Sequence, residues 1–190
     1  MTASTTALFV IDIQHALAID SKERIPHAER LVAAAGEVVD AARAVNPPLI
    51  VFVQHEEKPE NGCLVRGSEA WKLVFNPDQG APNELLVHKT TRDTFESNPG
   101  LADTLKQKGI THIITCGIQS ECCVESTSKG ALAAGFQVSI LRDAHSTYDD
   151  DGKSAIEIER AVEQRLEALG AKVVPYKDAL AQWKSANALC

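Results

Sequence analysis

Several broad classes are excluded by what the chain lacks. No apolar run approaches the roughly 20 residues that a membrane-spanning helix needs. Residues Met1 to Thr6 hold no basic stretch followed by an apolar one, so a secretory signal is not expected. No Cys-x-x-Cys pair occurs, and the five cysteines, Cys63, Cys116, Cys122, Cys123 and Cys190, are odd in number. A disulfide framework and a structural zinc site are therefore disfavoured. Reduced thiols in a cytoplasmic protein are the simplest expectation. Neither common phosphate-cradling glycine loop is present, which argues against a nucleotide cofactor. Basic charge is also scarce. The formal net charge is -7, and a nucleic-acid partner would require a basic face.

What is present is an alternation of buried strands and amphipathic helices over 190 residues, the length of one domain, 1–190. Strands are expected at Ala7 to Ile13, Leu49 to Val53, Leu85 to His88, Thr111 to Gly117, Gln137 to Leu141 and Lys172 to Pro175. Helices are expected at Ala28 to Val45, stopped by Pro47-Pro48, then from Asn98-Pro99 to Gly109. Others follow at Glu121 to Ala134, Ser154 to Leu169 and Ala179 to Ser185. Glu56 to Pro82 reads as a long loop with a short helical piece at Ser68 to Val74, and a loop of that length is often functional. The pattern predicts an α/β protein in three α/β/α layers around a six-stranded, mainly parallel, doubly wound sheet.

In such sheets ligands bind beyond the carboxyl ends of the strands. Three chemistry-bearing residues lie there. Asp12 sits at the end of the first strand, where an unpaired carboxylate is costly. It serves equally well as an acid that binds a nearby amide. Lys89 follows the third strand and could bring positive charge to the same cleft, although most lysines are simply solvated. Cys123 lies where the fourth strand hands over to a helix, in GIQSECCV. A thiol in a first helical turn meets free N–H groups that favour thiolate and can receive an oxyanion. Cys116 in mid-strand reads as a small buried hydrophobe, and so does Cys122. A redox pair of Cys122 and Cys123 would close a strained eight-membered ring. His15, His55, His88, His112 and His145 are scattered, so no metal set is expected.

Taken together, Val10-Ile11-Asp12-Ile13-Gln14, KTTRDTF with Lys89 and Phe95, GIQSECCV, and Leu141-Arg142-Asp143-Ala144 resemble the isochorismatase-like cysteine hydrolases. That superfamily includes nicotinamidase and N-carbamoylsarcosine amidohydrolase. The likeness runs over about residues 6 to 176 in order and spacing. It implies a sheet of order 3-2-1-4-5-6 and a catalytic triad of Asp12, Lys89 and Cys123. It further implies a cis peptide at Ile118-Gln119, with the Gln119 and Cys123 amides forming an oxyanion hole. By the same analogy and by strand-end position, Gln14, His15, His55, Trp71, Phe95 and Glu121 would line the substrate mouth. Trp71 and Phe95 could equally be core. The nicotinamidase Asp-x-His metal motif is replaced by Val53-Gln54-His55, so no metal and no cofactor are expected. The implied activity is hydrolysis of a C–N bond in a small amide or carbamoyl compound through a thioester. Isochorismate or ester cleavage, or a non-catalytic binding role on the same fold, are the alternatives. Family members commonly form homodimers or homotetramers, which sets the expectation for partners beyond a small-molecule substrate.

Overall fold

A computed structural model describes residues 5–45, 49–78 and 80–190. The Pro47-Pro48 stop therefore lies outside the described residues. Strand β1, Thr6–Ile11, is buried throughout and forms the middle of the sheet. Helix α1, His15–Ala18, and helix α2, Ala28–Ala44, lead to β2, Leu49–His55, and β3, Glu84–Lys89. Helices α3, Thr94–Ser97, and α4, Leu101–Gln107, return the chain to β4, His112–Ile118, on the far side of β1. A π-helical turn, Ser120–Val124, runs into α5, Glu125–Ala133. Strand β5, Gln137–Ser146, helix α6, Ala155–Ala168, strand β6, Lys172–Pro175, and helix α7, Tyr176–Ala186, complete the order.

The sheet order is β3-β2-β1-β4-β5-β6, and every neighbouring pair is parallel. A parallel sheet needs cover on both faces, and alternation along β1 supplies it. Leu8 and Val10 join one apolar layer with Leu31, Val38 and Trp183. Ala7, Phe9 and Ile11 join the other with Leu105, Val162 and Leu166. Cys116 is fully buried in the first layer, where burial pushes its thiol up to about 12. Among the described residues no helix is long and apolar enough to cross a membrane.

Strand order reverses between β1 and β4, which opens a crevice beyond their carboxyl ends. Gly117 permits their close approach there. Its φ is +137°, and an added Cβ would lie 2.0 Å from the Ile11 carbonyl oxygen. Gly117→Ala is expected to cost about 2–4 kcal/mol, from backbone strain and the forced separation of the strands. Denaturant unfolding of the variant measures this directly.

Some local expectations give way. No helix forms over 68–74; the segment is turns and bends, because its backbone bonds to the extension of β1 instead. Val74 N–H donates to Ile13 O, and His15 N–H to Lys72 O. The expected helix at 98–109 forms over the shorter span of α4, Leu101–Gln107, and the separate short helix α3 precedes it. Asp93 caps α3 by accepting from Phe95 N–H, and α4 begins only after Pro99. The helix expected from Glu121 opens as the π-turn. Strand β5 runs on to Ser146 rather than stopping at Leu141.

Candidate active site

Asp12 is the first residue after β1, and it is 1 % exposed. Its φ of +50° is uncommon outside glycine and is tolerated by aspartate. Its N–H donates to Val53 O at 3.0 Å, which keeps it in line with β2. Lys89 ends β3 and is 2 % exposed. The parallel register sets Lys89 beside His55 at the end of β2. Cys123 is half-buried in the π-turn that follows β4, and such turns recur at functional sites.

The Lys89 ammonium draws these elements together. Its Nζ lies 2.7 Å from Asp12 Oδ2, 3.1 Å from Cys123 Sγ and 3.2 Å from His55 Nδ1. It also donates to Thr91 O at 3.2 Å. Among the described residues no hydrogen bond of good geometry reaches either Asp12 oxygen, so the ion pair is its counter-charge. Burial works against the charge on Lys89, but the Asp12 carboxylate helps to outweigh it and hold its pKa above the ordinary value. An ammonium can only donate, so His55 Nδ1 accepts and the proton of the neutral ring sits on Nε2. Burial, then Lys89, lowers the His55 pKa and keeps that ring neutral.

The thiol of Cys123 is not the standing thiolate that a first helical turn would favour. Burial, then the Asp12 carboxylate, pushes its pKa far above normal, against the pull of Lys89. The resting arrangement is an ion pair beside a protonated sulfur. The three groups are close enough for one proton to move between sulfur and carboxylate while Lys89 stays charged.

Asp12, His55 and Cys123 offer donor atoms within 4.8 Å of one another, a spacing that could suit a metal ion. The ammonium of Lys89, at 2.7 to 3.2 Å from all three, already serves as their common cation. A second cation beside it would meet fixed positive charge, so these residues do not fit a metal.

The Ile118-Gln119 peptide is cis. Both residues line a cleft of about 290 Å³ with Asp12, His55, Cys122 and Cys123. Of the six residues expected at the mouth, His55 borders this cleft and the other five do work elsewhere. Gln14 is buried and spans two elements: its amide donates to His55 O and Trp71 O, and its oxygen accepts from His55 N–H. His15 sits by Glu69 at 3.7 Å. Trp71 stacks on His88, centroids 5.7 Å apart, under the Arg66 guanidinium. Phe95 packs between Phe9 and Phe136 in the core. Glu121 accepts from the Thr147 hydroxyl. Sequence reasoning passed over Glu57, Cys63 and Leu64, which border the cleft from the long loop, and Arg92, which borders it from KTTRDTF. Loop length and the proximity of Arg92 to Lys89 were the available signals.

A buried polar line braces the π-turn from behind. Ser120 Oγ lies 2.8 Å from His145 Nδ1, and His145 Nε2 lies 3.4 Å from Glu163 Oε1. Burial opposes the Glu163 charge, but hydrogen bonds from His145, Arg142 and Arg160 bring its pKa down to about 2. Ser120 and His145 are fully buried and do not border the cleft, so this line positions the turn rather than meeting a ligand.

This geometry has parallels among known proteins. The family model for the isochorismatase domain matches residues 6–174. The chain belongs to the isochorismatase family. It is 35% identical to a streptothricin hydrolase of Streptomyces noursei over 156 residues, 78% of this chain and 60% of that protein. It is 28% identical to a ureidoacrylate amidohydrolase of Variovorax paradoxus, over 75% of this chain and 69% of that one. The chain thus spans between half and two thirds of the length of the streptothricin hydrolases it matches. A cysteine hydrolase from Pseudomonas syringae pv. phaseolicola has the same fold, with a TM-score of 0.83 at 20% identity, covering 96% of this chain and 93% of that one.

Proposed function

We propose that this isochorismatase-family hydrolase cleaves a C–N bond in a small amide or carbamoyl compound, with Cys123 as nucleophile. The reading rests on the Lys89 ammonium held at 2.7 Å from Asp12 and 3.1 Å from Cys123 beside a cleft. Asp12 takes the thiol proton. The sulfur attacks the carbonyl carbon to form a C–S bond, and the N–H groups of Gln119 and Cys123 receive the oxyanion. The C–N bond breaks as Asp12 returns its proton to the departing nitrogen, leaving a thioester. Water then gives a proton to Asp12 and its oxygen to the carbonyl. The C–S bond breaks, and the proton goes back to sulfur. Lys89 keeps one positive charge in the site throughout, so no step separates charge in a buried space.

The amide preference draws support from the ureidoacrylate amidohydrolase, whose name states its bond class. Mass spectrometry of the protein after exposure to a panel of small amides and carbamoyl compounds tests the reading. A trapped acyl group is expected on Cys123, absent in Cys123→Ala and kept in Cys122→Ala. Unchanged turnover by Cys123→Ala on a compound the protein hydrolyses would overturn it.

A further inference from the structure

The cleft holds one cation that the chemistry above does not use. Arg92 is exposed and borders the cleft with Cys122 and Cys123. The chain has eight arginines. The other seven are each ion-paired to a carboxylate. Among the described residues the Arg92 guanidinium has no ion pair and no hydrogen-bond acceptor; only its backbone carbonyl is engaged, by Thr127. The masked residues contain no Asp or Glu that could pair with it. Arg92 sits one turn of loop beyond Lys89, ahead of the Asp93 cap, so its backbone is anchored while its side chain is free.

The rest of the cleft is arranged around this charge. Asp12 is matched by Lys89. Glu57 is the remaining acid on the lining, and it accepts from Leu64 N–H. Arg92 acts electrostatically on Cys122, whereas Glu57 acts on Cys63. Both charges border the cleft, and an anionic group there would be repelled by Glu57 and drawn to Arg92. A planar guanidinium offers paired N–H donors that match a carboxylate.

We propose that Arg92 is the specificity-determining residue of this site, and that the substrate carries a carboxylate, or a like planar anion, which pairs with the Arg92 guanidinium while its amide carbonyl meets Cys123. This rests on the reading of Cys123 as nucleophile. The reagents iodoacetate and iodoacetamide differ by that one charge and report on it without knowledge of the natural substrate. Their alkylation rates at Cys123, resolved by mass spectrometry with Cys190 as the reference thiol, are compared in the wild type, Arg92→Gln and Arg92→Lys at one alkaline pH, set where wild-type Cys123 takes label. Arg92→Gln is expected to lower the iodoacetate rate at Cys123 about fivefold, the scale of one partly screened charge. The iodoacetamide rate should hold, and Arg92→Lys should keep most of the iodoacetate preference. Added salt should shrink the difference. Label from both reagents at a ratio untouched by Arg92→Gln would overturn the role of Arg92 alone. Turnover by Cys123→Ala equal to that of the wild type, on a compound the protein hydrolyses, would remove the nucleophile reading, and this inference with it.

Discussion

Asp12→Asn is expected to lower kcat on any amide the protein hydrolyses by ~10²–10⁴-fold, the usual worth of a positioned acid–base group. The fold should survive, because asparagine has the shape of aspartate and the backbone bond from residue 12 to Val53 is unaffected. The variant also separates two effects that usually travel together. Asp12 is the second cause, after burial, that holds the Cys123 thiol protonated. Removing its charge leaves Lys89 facing the sulfur at 3.1 Å with no competing anion of that strength. The thiol pKa should therefore fall in Asp12→Asn even as turnover collapses. A better-ionised nucleophile in a dead enzyme would locate the defect in proton delivery to the departing nitrogen. Steady-state kinetics beside a thiol titration measures both.

Lys89→Met should carry the largest stability effect. The Lys89 and Asp12 side chains are 0% and 1% exposed, and breaking a buried pair by removing one partner costs about 3–5 kcal/mol. The uncompensated Asp12 charge is the cause, so Asp12→Asn placed on top of Lys89→Met should recover much of the loss. Activity should not recover, since both the base and the balancing charge are gone. The sign of the pH dependence follows from the raised Lys89 pKa. Its stabilising share is fully present below the ordinary lysine value of ~10.4 and is lost only as pH rises through the folded value. Across the neutral range the wild type should gain nothing and lose nothing from this group. Chemical denaturation of the single and double variants, followed against pH, checks the set.

The sheet was legible in the sequence because parallel strands buried on both faces are continuous apolar runs, as in ALFVI and LIVFV. The strand-end rule then drew attention to Asp12, Lys89 and Cys123, and the structure brings Asp12 and Cys123 within contact of the Lys89 ammonium. Five residues of π-turn leave no period to read, so the chain from Glu121 looked like ordinary helix. The aromatics were ambiguous for a different reason. Phe95 and Trp71 carry the same apolar surface whether they face a cleft or a core, and only the tertiary partners Phe9, Phe136 and His88 decide it. Gln14 lay at the right strand end, yet its amide is used up in tying His55 and Trp71 together. Arg92 was hidden by the commonness of exposed arginine. Its meaning comes from the absence of a partner, which sequence cannot display. The resting state of the sulfur was also out of reach, because it depends on how near a carboxylate from another strand comes.

The account stands on an acid, an ammonium and a thiol that share one site and one mobile proton. The pH dependence of Cys123 alkylation, read by mass spectrometry in the wild type and in Asp12→Asn, tests that sharing most directly. Ionisation of Cys123 well above the ordinary thiol range in the wild type, moving clearly downward in Asp12→Asn, is the predicted result. A Cys123 profile that is the same in both proteins would mean that the carboxylate does not act on the sulfur, and would contradict the account.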